Sequence, residues 1–176
     1  MYYNETSIQD NRNALVQIVT DELFTCGARF IAKSYREQKK IPVFAYNFGY
    51  GFVSKFWGPY AFCCEGHACH GAELPFVFDL FAEPSMSYMH RHKADEIVGA
   101  KTNAYWVEFI KTKDVDETTR LGPKGLVPWP QYDPMGEQVW MNLTATTPNT
   151  TTPNTTTNFR REECDMFDEF GYMLWQ

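Results

Sequence analysis

The densest run of reactive side chains is Cys63-Cys64-Glu65-Gly66-His67-Ala68-Cys69-His70-Gly71. Cysteine and histidine together fit three chemistries: ligation of Zn²⁺, disulfide formation, and proton transfer by an imidazole. A closed zinc site draws paired ligands from two separated knuckles, whereas all of these side chains fall within eight residues, which counts against a metal. His70 has a context suited to proton transfer, because it lies beyond an expected strand and just ahead of an expected helix. Imidazole titrates near neutral pH, so it can take a proton from a hydroxyl and return it to a leaving group. Position alone leaves a solvated surface histidine equally open. His67, His90 and His92 read as ordinary exposed or loop residues.

The elements that would position His70 are legible from hydrophobic spacing. From Asn13 to about Gln38, Leu15, Ile18, Val19, Leu23, Phe24, Phe30 and Ile31 recur at helical intervals, which predicts two short helices or one kinked one. Thr20 followed by Asp21 and Glu22 fits an N-cap and an acidic first turn. Ile41-Pro42-Val43-Phe44-Ala45-Tyr46-Asn47-Phe48 is β-branched and aromatic with Pro only at its start, so it predicts a buried strand. A long Gly- and aromatic-rich connection then carries the reactive run, which is where α/β proteins keep functional groups. Leu74 to Phe81 predicts a short buried helix with Pro near its first turn, and Lys93 to Lys111 a longer helix with an aromatic face. Val139 to Leu143 reads as a short strand and Phe159 to Trp175 as an amphipathic closing helix. A lone central strand has no sheet to join, so the chain reads as part of a fold.

With 176 residues, 44% hydrophobic and 16% aromatic, the chain has material for a sizeable core, which excludes disorder throughout. A net charge of -6 without a Lys/Arg cluster argues against nucleic acid or an anionic membrane surface as partner. No apolar run is long enough to span a bilayer. Met1-Tyr2-Tyr3-Asn4-Glu5 lacks the regions of a signal peptide, so a secreted protein would start further upstream. Secretion, or residence in the endomembrane lumen, is nevertheless suggested by four N-x-[ST] acceptors at Asn4, Asn142, Asn149 and Asn154. Chance sequons in a Thr-rich insert are the other reading. The insert, Thr144 to Asn158, is expected to be an exposed loop with the composition of an O-glycosylated segment. Five cysteines leave one thiol over if the others pair, and five reduced buried thiols stand as the alternative.

The string His70-Gly71-Ala72-Glu73-Leu74-Pro75-Phe76-Val77-Phe78 resembles the catalytic-histidine segment of type-B carboxylesterases, the family that includes the cholinesterases. Ala14 to Phe24 and Pro42 to Phe48 are similar to that family's preceding helix and strand. Tyr105-Trp106-Val107-Glu108-Phe109, Trp129-Pro130-Gln131-Tyr132 and Cys164-Asp165-Met166-Phe167 resemble its later signposts in the same order, so the likeness runs from about Ala14 to Trp175. It implies the C-terminal part of an α/β-hydrolase fold, an incomplete sheet flanked by helices. His70 would be the general acid/base of a serine esterase acting on ester substrates, with no cofactor and no metal. It also implies that residues 1-176 are one portion of a single domain bearing the insert, and that the remainder of the hydrolase domain is a partner. Cys26 and Cys164 match a family disulfide, and Cys64 with Cys69 would form a local bridge beneath the histidine loop, leaving Cys63 over.

The departures bear on activity. The family's nucleophile sits in a G-x-S-x-G elbow, and none of Ser7, Ser34, Ser54, Ser85 or Ser87 has that frame. The acidic triad member and the Gly-rich oxyanion segment belong upstream of Ala14. Without them a histidine has nothing to deprotonate, so this chain alone is expected to be inactive. Lys111-Thr112-Lys113-Asp114 replaces the family's usual Gly and Pro turn, which affects only a loop. A second implication is a catalytically silent, cholinesterase-like adhesion or binding module.

Overall fold

A computed structural model describes residues 11–51, 66–80, 92–112, 120–143 and 154–172. The chain divides into two compact units, one from Met1–Val43, Tyr132–Gln138 and Thr157–Gln176, the other from Phe44–Gln131 and Val139–Thr156.

In the first unit, α1 (Arg12–Thr20), a π-helical turn at Asp21–Thr25, α2 (Cys26–Ser34) and a second π-helical turn at Tyr35–Lys39 follow one another without a break. Of the two expected arrangements, two short helices or one kinked one, the structure has a single helical run. It stops at Lys40, which is left-handed (φ 53°) and is followed two residues on by Pro42. Thr20 does not cap a helix: its backbone is helical and its side chain makes no capping bond, because the helix has already begun at Arg12. Asp21 is buried, and it accepts from Gln17 Nε2 (3.1 Å) and Arg160 Nε (3.0 Å). The helical spacing read from the sequence is correct, but the stripe is not turned inward. Leu15, Val19, Leu23, Phe24, Phe30 and Ile31 are exposed, while Asp21, Cys26, Arg29 and Ala32 are buried.

Polar contacts complete this unit. The closing helix α5 (Arg161–Phe170) is shorter than the sequence suggests. It starts after a left-handed Arg160 and ends at Gly171 (φ 81°), a conformation glycine adopts without strain. A disulfide joins Cys26 in α2 to Cys164 in α5. Tyr172 donates to Asp168 (2.5 Å) and to the Cys26 carbonyl (3.2 Å). Buried Arg29 donates through Nε to Gln138 (3.1 Å) and through Nη2 to Asp165, with Asp168 3.6 Å away. Burial alone pulls the Arg29 guanidinium down, but these carboxylates outweigh it and hold its pKa above the ordinary value.

The second unit holds the sheet. β1 (Tyr46–Asn47) pairs in parallel with β2 (Trp140–Asn142), Tyr46 opposite Met141, and β2 pairs antiparallel with β3 (Asn154–Thr156), Trp140 opposite Thr156. The expected lone strand, β1, thus has a partner in β2, which is the middle strand of three. It is shorter than Ile41 to Phe48, because its ladder bonds are few: Ala45 and Asn47 carbonyls accept from Met141 and Leu143 amides at 2.9 and 2.8 Å. β3 lies within the segment expected to be a loop. Its side chains stay largely exposed, so Thr-rich composition has not prevented an edge strand from forming; residues 144–153 lie outside the described residues.

Parallel pairing needs a crossover, and the segment between β1 and β2 supplies α3 (Leu74–Val77) and α4 (Lys93–Lys111). α4 has the bounds read from the sequence, and α3 stops short of Phe81. The core gathers Tyr105, Leu121, Trp129, Met141 and Leu143, with Phe44 and Tyr46 packed against it. Trp129 Nε1 donates to the Ala45 carbonyl at 2.9 Å, Tyr105 hydroxyl to the Val127 carbonyl at 2.5 Å, and Leu121 bridges Trp129. Both buried rings therefore have their polar ends partnered.

Candidate active site

His70 lies at the second position of a tight turn. The Ala72 amide donates to the Cys69 carbonyl at 3.0 Å, Gly71 has φ 77°, and His70 is not among the residues with positive φ. That combination is a type II turn, which requires φ above zero at its third residue and therefore favours glycine there. Gly71 is thus fixed by backbone geometry. The turn runs straight into α3: Leu74 donates to the Gly71 carbonyl at 3.2 Å, and Phe76 and Val77 to the Glu73 carbonyl at 2.9 Å. Pro75 in the first turn of α3 gives up an amide that would have no partner there. His70 is exposed, whereas Ala72, Pro75 and Phe76 beneath it are buried.

Three contacts hold this platform. Phe76 packs with Tyr50 and Val98, and its ring meets those of Phe48 and Tyr50 at 5.1 and 5.5 Å. The Asn103 amide of α4 donates to the Val77 carbonyl at 2.9 Å and so satisfies the end of α3. Gly51 lies against the base of the histidine loop, where a Cβ would come 2.5 Å from the Gly66 carbonyl carbon and 2.7 Å from the His67 nitrogen. Glu73 is near the strand as well: burial first, and then the Glu73 charge, push the Tyr46 phenol up.

The other candidates are placed as follows. Cys69 is disulfide-bonded; Cys64, its expected partner, and Cys63 lie outside the described residues, as do Asn4, Asn149 and His90. Asn142 is half-buried in β2, with its Oδ1 3.5 Å from Asn47 Nδ2, and Asn154 is exposed on β3 directly across from it. His92 is exposed, as read from the sequence, and in addition its Nδ1 accepts from the Ala94 amide at 3.2 Å and caps α4. Among the described residues no group of three or more His, Cys, Asp or Glu is arranged to hold a metal ion, and no helix is long and apolar enough to cross a membrane.

Tyr50, Gly51 and Asp95 were not singled out from the sequence. Asp95 carries a readable signal as an acid in the first turn of a helix, but its complete burial is set by the fold. His70 thus stands as an exposed imidazole on a glycine turn that leads directly into α3. Comparison with known proteins carries this further. Residues 1–167 match the model of the Carboxylesterase family, and the chain belongs to that family.

Its relatives include the "Crystal protein" of Dictyostelium discoideum, 29% identical over 94% of this chain and 28% of that protein. The acetylcholinesterases of Bungarus fasciatus (26% identical over 84% of this chain, 23% of that protein) and Gallus gallus (29% over 73%, 15% of that protein) also match. The chain therefore spans well under a third of these relatives. Among solved structures, a PNB esterase superimposes with TM-score 0.60 at 21% identity, covering 88% of this chain and 27% of the esterase. An esterase from Clostridium hathewayi superimposes with TM-score 0.51 at 13% identity, covering 96% and 34%. These likenesses bear out an α/β-hydrolase fold represented here in part.

Proposed function

We propose that this chain is the C-terminal portion of a type-B carboxylesterase domain and that His70 is its general acid/base. The observation that carries the reading is the exposed imidazole on the type II turn, in a chain of this family. A serine supplied by the remainder of the domain would give its hydroxyl proton to His70 as the oxygen attacks an ester carbonyl. The imidazolium would then protonate the departing alcohol. Water would repeat the cycle on the acyl-enzyme and release the acid. Ester substrates follow from the family, and no cofactor takes part.

The remainder of the hydrolase domain is the partner this reading requires. In support, the first unit leaves a long apolar stripe uncovered, with a groove of about 370 Å³ lined by Phe30, Ile31, Ser34, Tyr35, Gln38 and Lys39. Monomeric soluble proteins rarely leave such a stripe in water. The Cys26–Cys164 disulfide and the sequons at Asn142 and Asn154 support a secretory destination. A catalytically silent binding module is the second reading, favoured by the lack of a Gly-x-Ser-x-Gly frame in these 176 residues.

The test is to read the transcript to its true 5′ end and assay the encoded protein. Under the esterase reading the message contains a Gly-x-Ser-x-Gly frame, the product hydrolyses simple esters, and His70→Ala lowers kcat by about 10⁴-fold or more. A message without that frame, or an active product indifferent to His70→Ala, refutes it.

A further inference from the structure

Tyr50 stands where three supports of the histidine turn meet. Its hydroxyl donates to Asp95 Oδ1 at 2.8 Å, and Asp95, in the first turn of α4, is completely buried. Its ring meets Phe76 of α3 edge-on, at 5.5 Å and 87°. Its chain neighbour Gly51 is in close contact with Gly66 and His67 at the foot of the loop. A hydrogen bond to a buried carboxylate is stronger than one between neutral groups, and removing its donor leaves that carboxylate less well solvated. The bond is therefore suited to fixing where the strand end, and with it α3, sits against α4.

We propose that the Tyr50–Asp95 hydrogen bond is a strut that sets the position of the His70 turn, and that Tyr50 and Asp95 are positioning residues for the imidazole. The functional meaning of the strut rests on His70 being the general acid/base; its existence does not. The Tyr50 ring packs against Phe76 whether or not the hydroxyl is present, so a packing role and a strut role predict different behaviour for Tyr50→Phe.

The experiment is amide exchange and imidazole NMR on the full chain. In Tyr50→Phe, the Ala72, Phe76 and Val77 amides should lose about tenfold protection and the His70 ring protons should shift, while the Cys164 amide stays at its parent value. Asp95→Asn keeps an oxygen acceptor for the Tyr50 hydroxyl but not its charge and should fall between the parent and Tyr50→Phe, whereas Asp95→Leu should reproduce Tyr50→Phe. Parent-like protection and ring signals in Tyr50→Phe would overturn the strut. Should Tyr50→Phe fail to fold, Asp95→Asn decides: reduced protection of the turn and shifted His70 signals support the strut, unchanged ones overturn it. Activity of His70→Ala in the intact protein tests the catalytic reading separately.

Discussion

Gly51 and Gly66 are so close that a methyl group on the first would sit 2.5 Å from the carbonyl carbon of the second. The atoms in the way are backbone, so they cannot swing aside as a flexible side chain would. Gly51→Ala is therefore expected to push the foot of the histidine loop outward and to cost about 1–3 kcal/mol, the range for overpacking. Chemical denaturation with the signal of Trp129 as probe measures this, and a loss below about 0.5 kcal/mol would show that the contact is easily relaxed.

The disulfide gives a second prediction. Cys26 and Cys164 are 138 residues apart, and the chain-entropy treatment assigns closure of such a loop about 5 kcal/mol. Replacing both by serine should lower the stability of the first unit by about 3–5 kcal/mol, read from the urea midpoint of Tyr172 fluorescence quenching. A midpoint equal to the parent's would show that the buried ion pairs of Arg29 and Asp21 hold the unit by themselves.

Alkaline pH should destabilise the fold through its buried phenols. Burial pushes Tyr105 up to about 12, and burial together with Asp95 or Asp168 pushes Tyr50 and Tyr172 up as well. Unfolded tyrosines titrate near 10. A folded pKa above the unfolded one contributes stability that is complete below about pH 10 and is lost as pH rises through the folded value. A stability profile flat from pH 8 to 10 and falling beyond, with a late fraction in the tyrosinate absorbance titration, is the expected outcome. Uniform titration near pH 10 of all ten tyrosines would contradict it.

The sequons should differ in use. Asn154 is exposed on β3, whereas Asn142 is half-buried with its amide oxygen turned toward Asn47. Expressed through the secretory pathway, Asn154→Gln should remove a glycan step in gel mobility, and Asn142→Gln should not. The reverse pattern would show that glycosylation precedes the pairing of β1 with β2.

How far the sequence reaches can be judged from particular elements. α4 was legible to its end residues, but not in its buried face: Ile97, Ala100 and Ile110 are exposed, and Ala94, Asp95, Val98, Gly99, Thr102 and Tyr105 are buried. The strand at Ile41 to Phe48 was overextended, since periodicity reports an apolar run while ladder bonds depend on a partner 95 residues away. Helical period at Asn13 to Gln38 was right, but period does not say which face meets the core. There the buried set is Asp21, Cys26, Arg29 and Ala32, chosen by the disulfide and ion pairs that arrive from Arg160 onward. In the candidate site, His70 and Gly71 were legible as a local motif, whereas Tyr50, Gly51 and Asp95 are brought together only by long-range packing.

The first unit is assembled from segments far apart in sequence, and biosynthesis runs in one direction. At about 5–20 residues per second, Cys26 emerges from the ribosome on the order of ten seconds before Cys164. In that interval it meets Cys63, Cys64 and Cys69, all translated earlier than its final partner. Correct pairing must therefore await the translation of Cys164 or be recovered by reshuffling. Maturation of this protein is expected to be slowed by any loss of disulfide isomerase more than by a loss of oxidant.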